Sequence, residues 1–350
     1  MTRLTFRTGL IASAALIASL GTTTAAHAQS TNVTLYGIMD LFVQYGHGGA
    51  GTQTSIQSGG VSSSRLGFKG SEDLGGGLSA KFQLEQGIMA DTGTQASTTS
   101  TWNRQAWVGL FSQQYGSVSM GRQTLPHYDI LDAMDTFGTG AGSVSSSGIL
   151  NYTSRANNSV KYASPVVNGL QGVALASLGE ATTPHGDSSN MYSVGATYTA
   201  GALNAGVAYN AFKPATTGPE AKYTLLTASY DLGVAKLAGT LQSIRNFGNA
   251  DNADRTEAMF GVNVPVTDKN TVSAQVGANR VAHTHGGDAV QWSVGDAHEL
   301  SKRTKVYAIL SFINNGSNTA YSTNTATATG PVTSNGKDVS SLQLGIRHAF

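Results

Sequence analysis

The chain has 350 residues with 21 basic against 20 acidic side chains, 12% charged residues, 43 glycines and no cysteine. A charged share about half that of ordinary globular proteins, with a formal net charge of +1, argues against nucleic acid or an anionic surface as partner. Without cysteine there is no disulfide framework, and Val, Leu, Tyr and Phe recur along the whole length, which argues against disorder.

The first element reads as an export signal. Behind Arg3 and Arg7, Gly9 to Leu20 forms an apolar run of about a dozen residues, the length of a signal-peptide core and too short for a spanning helix. It leads to Ala26-His27-Ala28, a small-x-small pattern suited to signal peptidase, which predicts a cleaved segment 1–28 and a mature chain from Gln29. Removing Arg3 and Arg7 from 21 basic residues leaves 19 against 20 acidic ones, a mature charge near −1.

From Asn32 to Phe350, apolar residues alternate with small or polar ones in about sixteen segments of roughly ten residues, the period of strands with one greasy face. The first strand puts Leu35, Gly37, Met39, Leu41 and Val43 on one face, with Tyr36 and Asp40 on the other. The second sets Leu66 and Phe68 against Arg65 and Lys69, and the third sets Leu78, Ala80, Phe82 and Leu84 against Lys81, Gln83 and Glu85. In the last, Leu342, Leu344, Ile346, His348 and Phe350 share a face opposite Ser341, Gln343, Gly345, Arg347 and Ala349. Facing Arg or Lys to mid-bilayer costs about 2 to 4 kcal/mol, so the charged face looks on water and the apolar face on lipid. Asp296, which shares parity with Trp292 and Val294, is expected at an interface, a bulge or a subunit contact.

Connections alternate in length. Tight turns fall at Asp73 to Gly77, Gln113 to Gly116, Pro165 to Gly169, Ala200 to Gly201, Asp231 to Gly233, Pro265 to Asn270 and Ser301 to Arg303. Between them lie long Gly/Ser/Thr/Asn-rich loops: Gly46 to Gly60, Asp91 to Thr101, Thr124 to Ala156, Ala181 to Asn190, Lys213 to Lys222, Arg245 to Asp254, His283 to Gly287 and Asn314 to Gly336. This rhythm predicts an all-β fold, a 16-stranded antiparallel transmembrane β-barrel filling residues 29–350 as one domain, with both termini at the short-turn end. A soluble sandwich also offers alternating strands, but the short-long rhythm, the large polar loops and the aromatic residue closing the last strand favour the barrel. Sixteen strands enclose a lumen too wide for side chains to fill.

Something must therefore narrow it. The longest connection, Thr124 to Ala156, carries Tyr128, Asp129, Asp132, Asp135 and Phe137-Gly138, then a run of small residues from Gly138 to Gly148. An exposed loop of that length is unusual unless it packs somewhere. Folding this third loop into the lumen accounts for its small residues; the alternative is a loose external loop.

Six stretches in order along the whole chain carry a family resemblance. They are Val33-Thr34-Leu35-Tyr36-Gly37; the run from Ser64 to Leu78; Gly121-Arg122-Gln123; the run from Arg155 to Tyr162; Leu300-Ser301-Lys302-Arg303-Thr304; and Gly345-Ile346-Arg347-His348-Ala349-Phe350. Together they resemble the Gram-negative trimeric general porins of beta-proteobacteria such as Burkholderia and Neisseria relatives. The resemblance implies an outer-membrane homotrimer forming a passive, water-filled channel for small hydrophilic solutes and ions. It implies an inward third loop facing a ladder of arginines, which by motif are Arg65, Arg104 and Arg155, with Lys69 and Lys81 extending the basic strip. Arg104 has the parity of Ala106, Val108 and Leu110, so a luminal position requires a twist or bulge at the strand's end. The loop's acids are Asp129, Asp132 and Asp135, and the family's proline-acid-Phe-Gly tip is replaced here by Asp135-Thr136-Phe137-Gly138, leaving open which acid lines the passage. Arg122 reads as an anchor of the loop to the wall at least as well as a permeation residue. Further implied partners are outer-membrane lipid and lipopolysaccharide, and the barrel-assembly machinery, for which Phe350 serves as the C-terminal signal. A weak to moderate anion preference is expected.

Other chemistry has little support. There is no Gly-x-Ser-x-Gly elbow, zinc-spaced His/Glu motif or phosphate-cradling loop, so no enzyme, cofactor or metal is expected. His283 and His285 read as solvated loop residues. A substrate-specific channel and a non-conducting adhesin barrel remain as alternatives.

Overall fold

The computed structural model describes residues 32–180 and 189–350. The expected export segment 1–28 and residues 181–188 of the expected loop Ala181 to Asn190 lie outside the described residues. Among the described residues the sheet holds eighteen hydrogen-bonded segments. Two of these share one place in the wall and a two-residue piece, Thr94–Gln95, belongs to a loop, leaving a ring of sixteen.

The wall begins with β1 (Asn32–Gly48), β2 (Gly51–Ser58 and, after a break, Arg65–Gly75), β3 (Leu78–Met89) and β4 (Gln105–Ser112). It continues through β5 (Gly116–Thr124), β6 (Arg155–Ala163), β7 (Leu170–Ser177), β8 (Met191–Ala200) and β9 (Leu203–Phe212). Then come β10 (Ala221–Asp231), β11 (Lys236–Arg245), β12 (Arg255–Pro265), β13 (Asn270–Val281), β14 (Ala289–Glu299), β15 (Thr304–Asn315) and β16 (Val339–Ala349). Each pairs antiparallel with its neighbour, and β16 pairs with β1 from Ile38↔Ala349 to His47↔Ser340, which closes the ring. Phe350 extends the seam: its N–H donates to Gly37 O and its carbonyl accepts from Gly37 N, both at 3.1 Å. Its ring lies over Gly37, where any Cβ would collide with it.

Closure satisfies every strand edge, the condition for a sheet in hydrocarbon. The alternation predicted from sequence is the alternation of the wall. Leu241, Phe260, Val276, Leu310 and Leu344 are exposed on the outside, while Gln242, Gln275, Gln291, Ser311 and Gln343 are buried on the inside. Exposed Tyr162, Tyr198 and Tyr230 sit near the short turns and Tyr45, Tyr192, Tyr209 and Trp292 near the long loops, two aromatic belts of the kind that mark membrane interfaces. Asp296 keeps the outward parity near the turn end of β14, where Asn270 Nδ2 donates to both its oxygens at 3.1 and 3.3 Å.

One expected loop is wrong. Gly46 to Gly60 is mostly strand, because Gly51–Ser58 pairs with β1 from Gly48↔Gly51 to Leu41↔Ser58. Its Thr, Gln and Ser side chains read as loop, and Ile56, opposite Val43, is its one large apolar residue. The true interruption is Gly59–Ser64, after which Arg65–Gly75 resumes pairing with the lower half of β1.

The β5–β6 connection opens with a helix that the small-residue pattern did not suggest, α1 (Pro126–Met134). Pro126 stands where its missing N–H costs nothing, and His127, Ile130, Leu131 and Met134 form a buried stripe at helical spacing. That stripe seats on the polar face of the wall. Ile130 fits against Gly195 and Gly206, Thr136 against Gly261, Val144 against Gly277 and Phe137 against Gly295, each place where a Cβ would fall at or inside 3.0 Å of the loop side chain. Hydrogen bonds fix the same path: Gln275 Oε1 accepts from Val144 N at 2.8 Å, Gln291 Nε2 donates to Gly142 O at 3.1 Å, and Glu257 accepts from Asn151 N and Nδ2 at 2.7 and 2.6 Å.

Candidate functional site

The break in β2 is built by one carboxylate. Asp40, fully buried, accepts from Gly60 N at 3.2 Å and Ser62 N at 2.8 Å, and Tyr307 OH donates to it at 2.6 Å. These bonds hold Gly59–Ser64 off the wall, and Ala141 N of the β5–β6 connection donates to Gly60 O at 2.9 Å. Gly140 lies so close to the Val61 backbone that a Cβ there would sit 2.6 Å from its carbonyl oxygen. The connection and the break thus meet.

Facing the connection is a basic side. Arg65 opens the lower piece of β2, and its Nε donates to Ser63 O at 2.9 Å. Arg104 lies in a bend one residue before β4, so strand parity does not bind it; its Nε reaches Glu85 Oε1 at 2.6 Å. Arg155 begins β6 beside an irregular register between β5 and β6, and its guanidinium lies 5.9 Å from the Tyr128 ring centre. Glu85 also stands 3.8 Å from Arg65 and accepts from Tyr36 OH at 2.9 Å. One acid therefore answers for several cations. Arg65, Arg104 and Arg155 line a cavity of about 310 Å³ together with Tyr128, Tyr152 and Asp132.

The three acids of the connection have different placements. Asp132 lines this cavity and a second one of about 540 Å³. It accepts from Thr139 Oγ1 at 2.5 Å, and burial pushes its carboxyl above the usual range. Asp129 pairs with Lys161 Nζ at 2.6 Å. Asp135 is consumed in holding the connection: it accepts from Ser143 Oγ, Ser145 Oγ, Phe137 N and Gln275 Nε2 at 2.5, 2.9, 2.9 and 3.0 Å. His127, fully buried, donates from Nε2 to Gln242 Oε1 at 2.6 Å, while its Nδ1 has no hydrogen-bond partner among the described residues. Burial lowers its pKa to about 4.

The other cations lie apart from the cluster. Lys69 Nζ sits 5.2 Å from the Tyr36 ring centre and Lys81 Nζ 4.7 Å from that of Phe111, and neither lines the two cavities. Arg122 donates to Asn103 O at 2.7 Å and Asn157 Oδ1 at 2.6 Å, bracing the tops of the strands. Sequence reasoning passed over Lys161, Arg347 and the roles of Glu85 and Asp40. Three of these were legible as charged residues on an inward face; their partners were not. Among the described residues no cluster of three or more His, Asp or Glu forms a metal-ligand set.

A closed ring with an apolar outside and a polar inside, holding cavities lined by charged side chains, defines a channel-forming membrane barrel. A sequence profile described as Gram-negative porin matches residues 12–318. The chain belongs to the Gram-negative porin family. Outer membrane porin protein 32 of Delftia acidovorans is 33% identical over 95% of this chain and 98% of its own, and an outer membrane porin protein of Bordetella pertussis is 29% identical over 81% and 89%. The solved anion-selective porin from Comamonas acidovorans superposes with a TM-score of 0.81 at 30% identity, covering 91% of this chain and all of that one.

Proposed function

We propose that the protein is a general diffusion channel of the outer membrane, a passive aqueous path for small hydrophilic solutes and ions with a weak to moderate preference for anions. The carrying observation is the charge imbalance at the smaller cavity, where Arg65, Arg104 and Arg155 face Asp132 with Glu85 behind them. An ion passing about 7 Å from one such charge in water-like dielectric feels roughly 0.6 kcal/mol, so three give about 2 kcal/mol before screening. That biases flux several-fold without trapping the solute, and catalysis has no part in it. The β5–β6 connection is the element that narrows the lumen, and the arginine cluster set against Asp132 orients dipolar solutes as they pass.

The same reading takes residues 1–28 as the cleaved export signal, the working form as a homotrimer in lipid and lipopolysaccharide, and Phe350 as the mark used by the barrel-assembly machinery. The anion-selective porin from Comamonas acidovorans supports the sign of the preference. Liposome swelling tests the channel: vesicles carrying the protein should swell in arabinose and more slowly in larger sugars. Vesicles that stay as tight as protein-free ones would refute it.

A further inference from the structure

The two cavities share five lining residues, Val61, Ser62, Asp132, Gly138 and Arg347. They are where the passage hands over from one chamber to the next. Arg347 is the single cation among the five, and it comes from β16, not from the strands that carry the arginine cluster. Its Nε donates to Ser62 Oγ at 3.1 Å. Ser62 stands on the break in β2, and its own N–H donates to Asp40 at 2.8 Å. Asp40 lies directly across from Arg347 in the β1–β16 register. Its oxygens are nevertheless taken by two amides and the Tyr307 hydroxyl, and among the described residues Arg347 has no ion pair. In the larger chamber Lys305 is matched by Glu299 at 3.4 Å. Arg347 is thus a cation without a salt bridge, held at the junction by the Ser62 hydroxyl, and the Ser62 backbone is in turn held by the buried Asp40.

We propose that Arg347 is a specificity-determining residue of the passage, and that Asp40 and Ser62 are positioning residues that fix its guanidinium where the two chambers meet. An anion moving between the arginine cluster and the larger chamber passes Arg347 opposite Asp132, so this junction sets the preference together with the cluster. The proposal rests on the channel reading above.

Reversal potentials of single channels in a KCl gradient test it, using wild type, Arg65→Gln, Arg347→Gln, Ser62→Ala and Asp40→Asn. Arg347→Gln should lower the anion-to-cation permeability ratio about threefold, the effect of one charge about 7 Å from the axis after screening. Ser62→Ala should lower it partway although no charge changes. Asp40→Asn removes a negative charge, which by charge alone would raise the ratio; a positioning role lowers it. An unchanged ratio in Arg347→Gln beside a lowered one in Arg65→Gln overturns the proposal and leaves the channel reading intact. An unchanged ratio in Ser62→Ala overturns the positioning role even if Asp40→Asn fails to fold. A wild type without anion preference overturns both.

Discussion

Glu85→Gln probes the charge balance of the passage with little change of shape. The glutamine keeps an oxygen for Arg104 Nε, now 2.6 Å from Glu85 Oε1, and keeps the contact with Tyr36 OH at 2.9 Å. What it removes is the acid that offsets Arg65 and Arg104. An ion about 7 Å away in water-like dielectric feels roughly 0.6 kcal/mol from that charge, and a Debye length of about 10 Å at 0.1 M salt reduces this to ~0.3 kcal/mol. Losing it favours each anion and disfavours each cation by about 1.7-fold, so the anion-to-cation permeability ratio should rise about threefold. Reversal potentials in a KCl gradient read the ratio directly. A ratio that stays level or falls, in channels of unaltered conductance, would refute the view that net charge at this cavity sets the preference.

Arg65→Gln should shift the same ratio about threefold the other way and leave the channel conducting. Asp135→Ala removes four hydrogen bonds to one carboxylate, each worth about 1.5 to 3 kcal/mol as a bond to a charged group. Single-channel traces should become noisier and thermal unfolding should begin earlier; a quiet channel of native stability would contradict the anchoring role. His127 has a folded pKa of about 4, below the unfolded value of 6.5. The unfolded chain therefore binds more protons between these values, and about 3 kcal/mol of stability, present above pH 6.5, should be lost as pH falls towards 4. Melting temperature against pH reads this, and His127→Asn should flatten the curve over that window. Because burial raises the Asp132 carboxyl, acidification should neutralise it at a higher pH than an ordinary aspartate and so increase anion preference, and Asp132→Asn should remove that contribution.

The wall was legible because a closed barrel leaves one signature on every strand, an apolar outside against a polar inside. Turn chemistry was equally open, as at Gly75, Gly76 and Gly77, whose φ values of 82, 60 and 78° place them in the left-handed region that β-carbons resist. Gly51–Ser58 escaped because its outward face carries Thr52 and Thr54 with a single large apolar residue, Ile56. Helix α1 escaped because nine residues of moderate periodicity were read as part of a loop, and its stripe has meaning only against Gly195 and Gly206, which arrive from β8 and β9. The basic cluster was legible in its members, since Arg65 has the inward parity and Arg155 follows a family motif. Arg104 lies outside its strand, so parity misjudged the direction of its side chain. The division of labour among the acids was illegible: Asp132 and Asp135 differ only in which wall residues stand opposite them, and that is a matter of register around the ring. Arg347 was visible on the polar face of the last strand, but its meeting with Ser62 needs both the closure of β16 on β1 and the break in β2.

The most direct test of the whole account is a single-channel recording of purified protein in a planar bilayer under a KCl gradient. A water-filled channel lined by the arginine cluster should give stepwise ohmic conductance with a reversal potential on the chloride side of zero. A silent membrane, or a reversal potential on the potassium side, would contradict it.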